Sequence, residues 1–297
     1  MSAAIVVDDL HKSYGPVDAV RGVSFEVAEG EVFALLGPNG AGKTTIVEVL
    51  EGFRAPTSGS VRVLDRDPAE GGRAWRERVG IVLQSCGIDP FFTVAESLRS
   101  TARVYPHPRP VDEVIELVGL TEQAGTRAMR LSGGQQRRLD LALALVGDPE
   151  LVFLDEPTTG FDPSARRASW DLIEGLCRLG KTVLLTTHYM EEAQRLADRI
   201  VVIAQGRVVA EGTPETIGGR DRAATVVRFA LPDGVSFADL PVRDAALDDD
   251  GNVSVQTDSP TRVLHDLTAW ALARGDELAG LEVVRPSLED VYLDLTR

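Results

Sequence analysis

The octapeptide GPNGAGKT, Gly37–Thr44, limits the fold of this chain more than any other stretch. It fits the pattern GxxxxGK[ST]. It follows the apolar run VFALLG and precedes a helical pattern from Lys43 to Glu51, the strand–loop–helix context in which the pattern wraps phosphates. The glycines let successive backbone N–H groups curl around an anion without Cβ clashes. The helix that follows aims the positive end of its dipole at the same anion. The candidate phosphate-binding residues are therefore Gly37, Pro38, Asn39, Gly40, Ala41, Gly42, Lys43 and Thr44. Lys43 would reach the β- and γ-phosphates, and the Thr44 hydroxyl would ligate Mg²⁺. Of the 31 basic residues only Lys12, Lys43 and Lys181 are lysines, so a lysine at 43 stands out from an arginine background. The bland alternative is a glycine turn carrying a surface lysine.

The surrounding pattern is that of an α/β protein. Residues 5–10, 23–28 and 31–36 read as short strands, with turns near Gly15–Pro16 and Glu29–Gly30. The continuously apolar run 32–36 suits a strand covered on both faces, and 151–155 and 181–187 read as further strands of the parallel type. Their alternation with helical stretches implies a parallel sheet with helices on its faces. From about residue 73 the pattern turns helical and irregular, and a helical subdomain over about 73–147 is expected inside a core domain of residues 1–220. Residues 221–297 differ. They hold 15 Asp and Glu against 7 Arg, and read as strand 225–230, acidic turn 248–251, strand 252–257, helix 260–274, strand 281–285 and a short terminal helix. That suits a small acidic α+β accessory domain, and no catalytic motif is visible in it.

Two further motifs carry chemistry. In LVFLDEP, Leu151–Pro157, four apolar residues run into Asp155 and Glu156 at a strand end. Beside a phosphate-binding strand, Asp155 would hold Mg²⁺ and Glu156 would face the γ-phosphate as general base for the attacking water. A solvated acidic turn is the alternative. In LSGGQQRR, Leu131–Arg138, a Ser and two glycines precede a helix whose apolar face continues through Leu139, Leu143 and Val146. This is a second anion-binding helix N-terminus in a chain whose first one already covers a triphosphate. Its economical use is on the nucleotide of another subunit; Ser132 as a plain N-cap is the alternative.

Bulk properties exclude several classes. At 297 residues and 43% hydrophobic composition there is material for two domains. The most apolar runs, such as 32–36 and 201–204, fall far short of the roughly 18 residues a membrane span needs. The start MSAAIVVDDLHKSYG lacks the basic and apolar regions of a secretory signal. Any membrane role is expected to come through a partner. A net charge of −15 argues against nucleic acid as a partner. Cys86 and Cys177 lie in no CxxC pair and read as reduced thiols of a cytosolic protein.

Residues 37–45, Gln84, 131–135, 151–157, the Gly160–Phe161–Asp162 turn and His188 stand in the order and rough spacing of ABC transporter ATPases, which the chain resembles over about residues 4–217. The resemblance implies an ATP-hydrolysing P-loop core with an inserted helical subdomain. It adds Thr45 to the phosphate loop and Tyr14 as the ring stacked on adenine. It also implies that Gln84 touches Mg²⁺ and the attacking water, and that His188 contacts the γ-phosphate. Ser132, Gly133, Gly134 and Gln135 would bind the nucleotide of the opposite subunit, and Asp162 would help join the two sites. The implied partners are a second ATPase subunit, identical or paired, and an integral membrane permease that places the chain at the cytoplasmic face of the membrane. The permease contact is expected near residues 84–98. Phe161 stands where the family more often has Leu. The ending PSLEDVYLDLTR and the stretch GIDPFFTVAESL are similar to the bacterial drug and antibiotic exporter branch. Alternatives are an importer, a module that keeps ATP as a structural ligand, and a non-transport ATPase of the same type acting in translation or DNA repair. The translation type carries two cassettes and the repair type a long coiled coil, and neither pattern occurs here.

Overall fold

A computed structural model describes residues 2–82, 87, 89–219, 224–232, 234–243, 245–248, 251–284, 288, 289 and 292. By contact the chain divides into two compact units, Met1–Pro214 and Glu215–Arg297. Among the described residues the first holds nine strands: β1 (Ala3–Tyr14), β2 (Val17–Ala28), β3 (Val32–Leu36), β4 (Ser58–Val63), β5 (Val79–Val82), β6 (Leu151–Asp155), β7 (Thr182–Thr187), β8 (Arg199–Ala204) and β9 (Arg207–Gly212). Its helices are α1 (Lys43–Leu50), α2 (Gly72–Arg76), α3 (Val94–Ala102), α4 (Val111–Leu117), α5 (Gly133–Leu145), α6 (Pro163–Arg178) and α7 (Met190–Leu196).

Six strands form one sheet in the order β5-β6-β7-β3-β8-β9, parallel except for β9. Every residue of β3, β6 and β7 is buried, as a parallel strand covered on both faces requires. The order places β3, which feeds the phosphate loop, directly beside β7, with β6 next. The C-terminal ends of these three neighbours are therefore where phosphate, acidic residues and histidine can meet. A second, antiparallel sheet runs β2-β1-β4. Its strands β1 and β2 are longer than the apolar pattern suggests. The polar residues from His11 to Tyr14 pair with Val17–Arg21 through backbone bonds that hydrophobic periodicity does not register. The turn between them uses Gly15 at φ 58°.

β5 falls inside the stretch expected to be helical, yet it is a strand of the core sheet, parallel to β6. Trp75 of α2 likewise packs into the core cluster. The helical part proper begins at α3, whose start is fixed by a capping box between Thr93 and Glu96. Among the described residues no helix is long and apolar enough to cross a membrane.

Among its described residues the second unit contains a four-stranded antiparallel sheet and one long helix. Its elements are β10 (Thr225–Ala230), β11 (Ala245–Leu247), β12 (Asn252–Thr257), α8 (Pro260–Arg274) and β13 (Glu282–Val284), and the sheet order is β11-β12-β10-β13. Val227, Phe229, Val253, Val255 and Leu267 form its own core. The terminal helix expected from the sequence falls largely outside the described residues.

Candidate nucleotide-hydrolysis site

The loop between β3 and α1 is shaped by close approaches. Gly42 precedes the helix at φ 105°, a conformation L side chains avoid, and a Cβ there would stand 2.5 Å from the Ala19 carbonyl oxygen. The Lys43 ammonium is buried and donates to the carbonyls of Gly37 (2.7 Å) and Pro38 (3.2 Å). Burial lowers its pKa from the usual lysine value, and the nearby Glu156 and Asp155 carboxylates only partly oppose that. A desolvated, pre-aimed cation of this kind suits a phosphate.

Glu156 lies at the centre of the constellation. Its Oε1 stands 3.9 Å from Lys43 Nζ and 3.3 Å from His188 Nδ1, while Oε2 accepts from Thr159 Oγ1 at 3.1 Å. Its backbone is left-handed, φ 45°, which is unusual for Glu and is held in place from outside. The Glu156 N–H points at Thr186, with the carbonyl oxygen at 3.2 Å and Oγ1 at 3.0 Å. Thr186 Oγ1 in turn donates to Asp155 Oδ1 at 2.5 Å. One buried hydroxyl on β7 therefore positions both acidic residues at the end of β6. The sequence reading gave Thr186 no role; its only signal is a hydroxyl in an otherwise apolar strand.

Two more residues without an assigned role brace this turn. Arg137 of α5 donates from Nη2 to the Asp155 carbonyl (3.1 Å) and from Nε to the Pro157 carbonyl (3.3 Å). Glu192 of α7 is fully buried and accepts from Thr158 Oγ1 (2.7 Å) and Trp170 Nε1 (3.0 Å). Trp170, buried on α6, is thus a hydrogen-bond donor as well as a packing residue.

The remaining candidates lie apart from that centre. Tyr14 is exposed at the end of β1, with Lys12 Nζ 5.3 Å and the Arg54 guanidinium 5.2 Å from its ring centroid. Arg54 is also paired with Glu48 of α1, which ties the aromatic to the phosphate-loop helix. Ser132 caps α5 in a reciprocal box: Gln135 N–H donates to Ser132 Oγ at 3.3 Å, and Ser132 N–H donates to Gln135 Oε1 at 2.9 Å. Ser132 and Gly133 are exposed, and Gly134 and Gln135 are half-buried. Asp162 caps α6, its Oδ1 accepting from the N–H groups of Ser164 and Ala165. Gln84 lies outside the described residues.

Fold and site together define a P-loop nucleotide hydrolase. The comparisons narrow the class. Residues 20–159 match the ABC transporter family model, and residues 225–287 match that of the ABC transporter domain-containing protein-like C-terminal domain. The chain is 45% identical over 242 residues to a Nod factor export ATP-binding protein I of Paraburkholderia xenovorans, covering 80% of each. The protein of that name from Burkholderia pseudomallei strain 1710b is 40% identical over 99% of this chain and 97% of its own length. The daunorubicin resistance ATP-binding protein DrrA3 of Streptomyces coeruleorubidus is 38% identical over 99% of this chain and 96% of its own. Among solved structures, cbiO1 from Clostridium perfringens, part of the ABC transporter complex cbiONQ, aligns at TM-score 0.65 and 29% identity over 72% of this chain and 90% of that one. The chain belongs to the ATP-binding subunits of ABC transporters, of the branch whose relatives are named for Nod factor export and daunorubicin resistance. It is a transport-coupled ATPase.

Proposed function

We propose that this chain powers export of a drug, antibiotic or lipid-like molecule through a separate integral membrane subunit, at the cytoplasmic face of the membrane. Two copies, or this chain and a paired ATPase subunit, enclose two ATP molecules head to tail. The observation that carries this reading is the exposed N-terminus of α5. Ser132 and Gly133 face outward on a capped helix start in a chain that already owns a phosphate loop. The export direction and the substrate class rest on what the relatives are named for.

Within one subunit, Gly37–Thr45 and Lys43 hold the triphosphate, Tyr14 stacks on the base and Glu156 takes a proton from the attacking water. His188, whose Nδ1 stands 3.3 Å from Glu156 Oε1, contacts the γ-phosphate. Asp155 and the Thr44 hydroxyl are the hard oxygen donors that Mg²⁺ takes alongside phosphates, with Gln84 as a third ligand. When bound, the ion neutralises charge on the β- and γ-oxygens. The opposite subunit's Ser132–Gln135 segment seals the γ-phosphate, and Asp162 joins the two sites. The γ-phosphate thus belongs to both halves, so ATP favours the closed pair and ADP does not; only such differential binding drives a cycle. The membrane subunit is met near residues 84–98, where Phe91 and Phe92 are exposed.

Glu156→Gln tests the reading. It should retain ATP affinity, lose at least about 100-fold in turnover and form an ATP-dependent dimer in size-exclusion chromatography. Turnover at the wild-type rate would remove Glu156 from its role, and a monomer at saturating ATP would remove the paired arrangement. Lys43→Ala should weaken ATP binding at least about ten-fold, the loss of a charge-assisted contact.

A further inference from the structure

Arg166 lies in the first turn of α6, and its surroundings are unusual for an arginine. It is half-buried, its Nε is buried without a hydrogen-bond partner, and no carboxylate pairs with it among the described residues. A guanidinium that leaves water ordinarily finds carboxylates or carbonyls. Arg166 meets a ring instead. Its Cζ stands 4.5 Å from the centroid of Tyr189, the shortest cation–ring distance among the described residues. A guanidinium stacks well on such a face, and desolvation strengthens the attraction.

Tyr189 in turn lies against His188, with ring centroids 4.1 Å apart and planes inclined by 41°. The same imidazole has its Nδ1 3.3 Å from Glu156 Oε1. The outer torsion of a histidine is broad, so one polar tether does not fix where the opposite nitrogen, Nε2, points. A ring against the imidazole removes that freedom, and a cation on the ring keeps it from swinging away. The helix that supplies the cation is itself well placed. Arg166 and Trp170 are four residues apart and so share a face of α6. Arg166 holds Tyr189, and Trp170 Nε1 donates to Glu192 Oε1 at 3.0 Å. One face of α6 therefore grips the chain at two points just after His188.

We propose that Arg166 is a positioning residue for hydrolysis: through the Tyr189 ring it holds the His188 imidazole with Nε2 turned toward the γ-phosphate. The inference rests on the reading above in which His188 contacts that phosphate.

The test is steady-state ATP hydrolysis by the full chain, together with the imidazole proton resonances in NMR. Arg166→Gln removes the cation and keeps a long polar side chain. It should lower kcat about five-fold and leave the KM for ATP unchanged. Tyr189→Leu should do the same, and Tyr189→Phe, which keeps the ring, should restore what Tyr189→Leu loses. Arg166→Gln and Tyr189→Leu combined should cost no more than either alone. In a His188→Ala background Arg166→Gln should cost nothing further, which a general weakening of the fold would not reproduce. The His188 resonances, identified by their loss in His188→Ala, should move in Arg166→Gln while those of His11 stay. Wild-type kcat in Arg166→Gln overturns the inference. So does a raised KM at unchanged kcat, which would make Arg166 a nucleotide contact. Unmoved His188 resonances overturn it even where turnover falls. Wild-type kcat in His188→Ala overturns the reading of His188, and this inference with it. Should Arg166→Gln melt early, the two Tyr189 variants decide: recovery by the ring supports the stack, and equal turnover overturns it.

Discussion

At the scale of single residues the site depends on groups that no motif contains. Thr186 accepts from the Glu156 N–H and donates to Asp155, so its hydroxyl couples the carboxylate expected to bind metal to the one expected to accept a proton. Thr186→Val keeps the shape of the strand and removes both bonds. Asp155 then loses its buried donor and the strained Glu156 backbone loses part of its support. Turnover should fall about ten-fold with little change in the KM for ATP, the cost of one unmade buried hydrogen bond. Steady-state kinetics reads this, and wild-type turnover would show that the Thr186 carbonyl suffices. Glu51 offers a second test, now of stability. Burial, then Asp155 and Glu48, raise its pKa to about 8 in the folded chain from 4.5. Below the lower value both folded and unfolded states carry the proton. Between the two values only the folded state holds it, so stability falls as pH rises and the loss is complete above about 8. Glu51→Gln cannot ionise and escapes that loss. It should melt higher than wild type at alkaline pH and match it near the unfolded-state value. A melting difference that does not vary with pH would place the origin elsewhere.

At the scale of elements, legibility followed burial. β6, β10, β12 and α8 match the sequence reading residue for residue, because each has a full or alternating apolar pattern bounded by turn residues. β4 was not read, since in SGSVRV only Val61 and Val63 are buried. β5 is four residues long and sits between helical stretches, so its period could not be told from theirs. β11 is three residues with a half-buried and two exposed positions. Each of these short or edge strands owes its place to backbone pairing with a neighbour, which tertiary context supplies and local pattern does not. The candidate site shows the same division. Lys43 begins α1, Asp155 ends β6, and Glu156 and His188 directly follow β6 and β7, so motifs read at the ends of apolar runs mark residues that the strand order brings to one edge of the sheet. Arg137, Thr186 and Glu192 were missed because they act through carbonyls and hydroxyls of residues distant in sequence. For Ser132 both readings were partly visible: the side chain caps α5, and its exposure leaves the helix start open to a second ligand.

At the scale of the whole molecule, the two units have hydrophobic clusters of their own. Phe33, Leu35, Ile46 and Phe153 belong to the core beneath the phosphate loop, whereas Val227, Phe229, Val253, Val255 and Leu267 belong to a cluster that contains none of the candidate catalytic residues. Units with their own cores unfold as separate cooperative steps when the interface between them is modest. A ligand stabilises only the unit that binds it, by about 2.7 kcal/mol at a concentration 100 times the dissociation constant. Calorimetry of the full chain should therefore resolve two transitions, and ATP should move only the one that a chain ending at Pro214 also shows. With Glu156→Gln, where turnover does not deplete the ligand, the shift should grow with ATP concentration while the other transition stays fixed. Two transitions that both move with ATP would mean that the second unit takes part in the ATP-bound pair. Since every residue of the phosphate loop and the hydrolytic turn lies before Pro214, a second transition that moves with ATP in the full chain would trace to contact between subunits, and diluting the protein would abolish it.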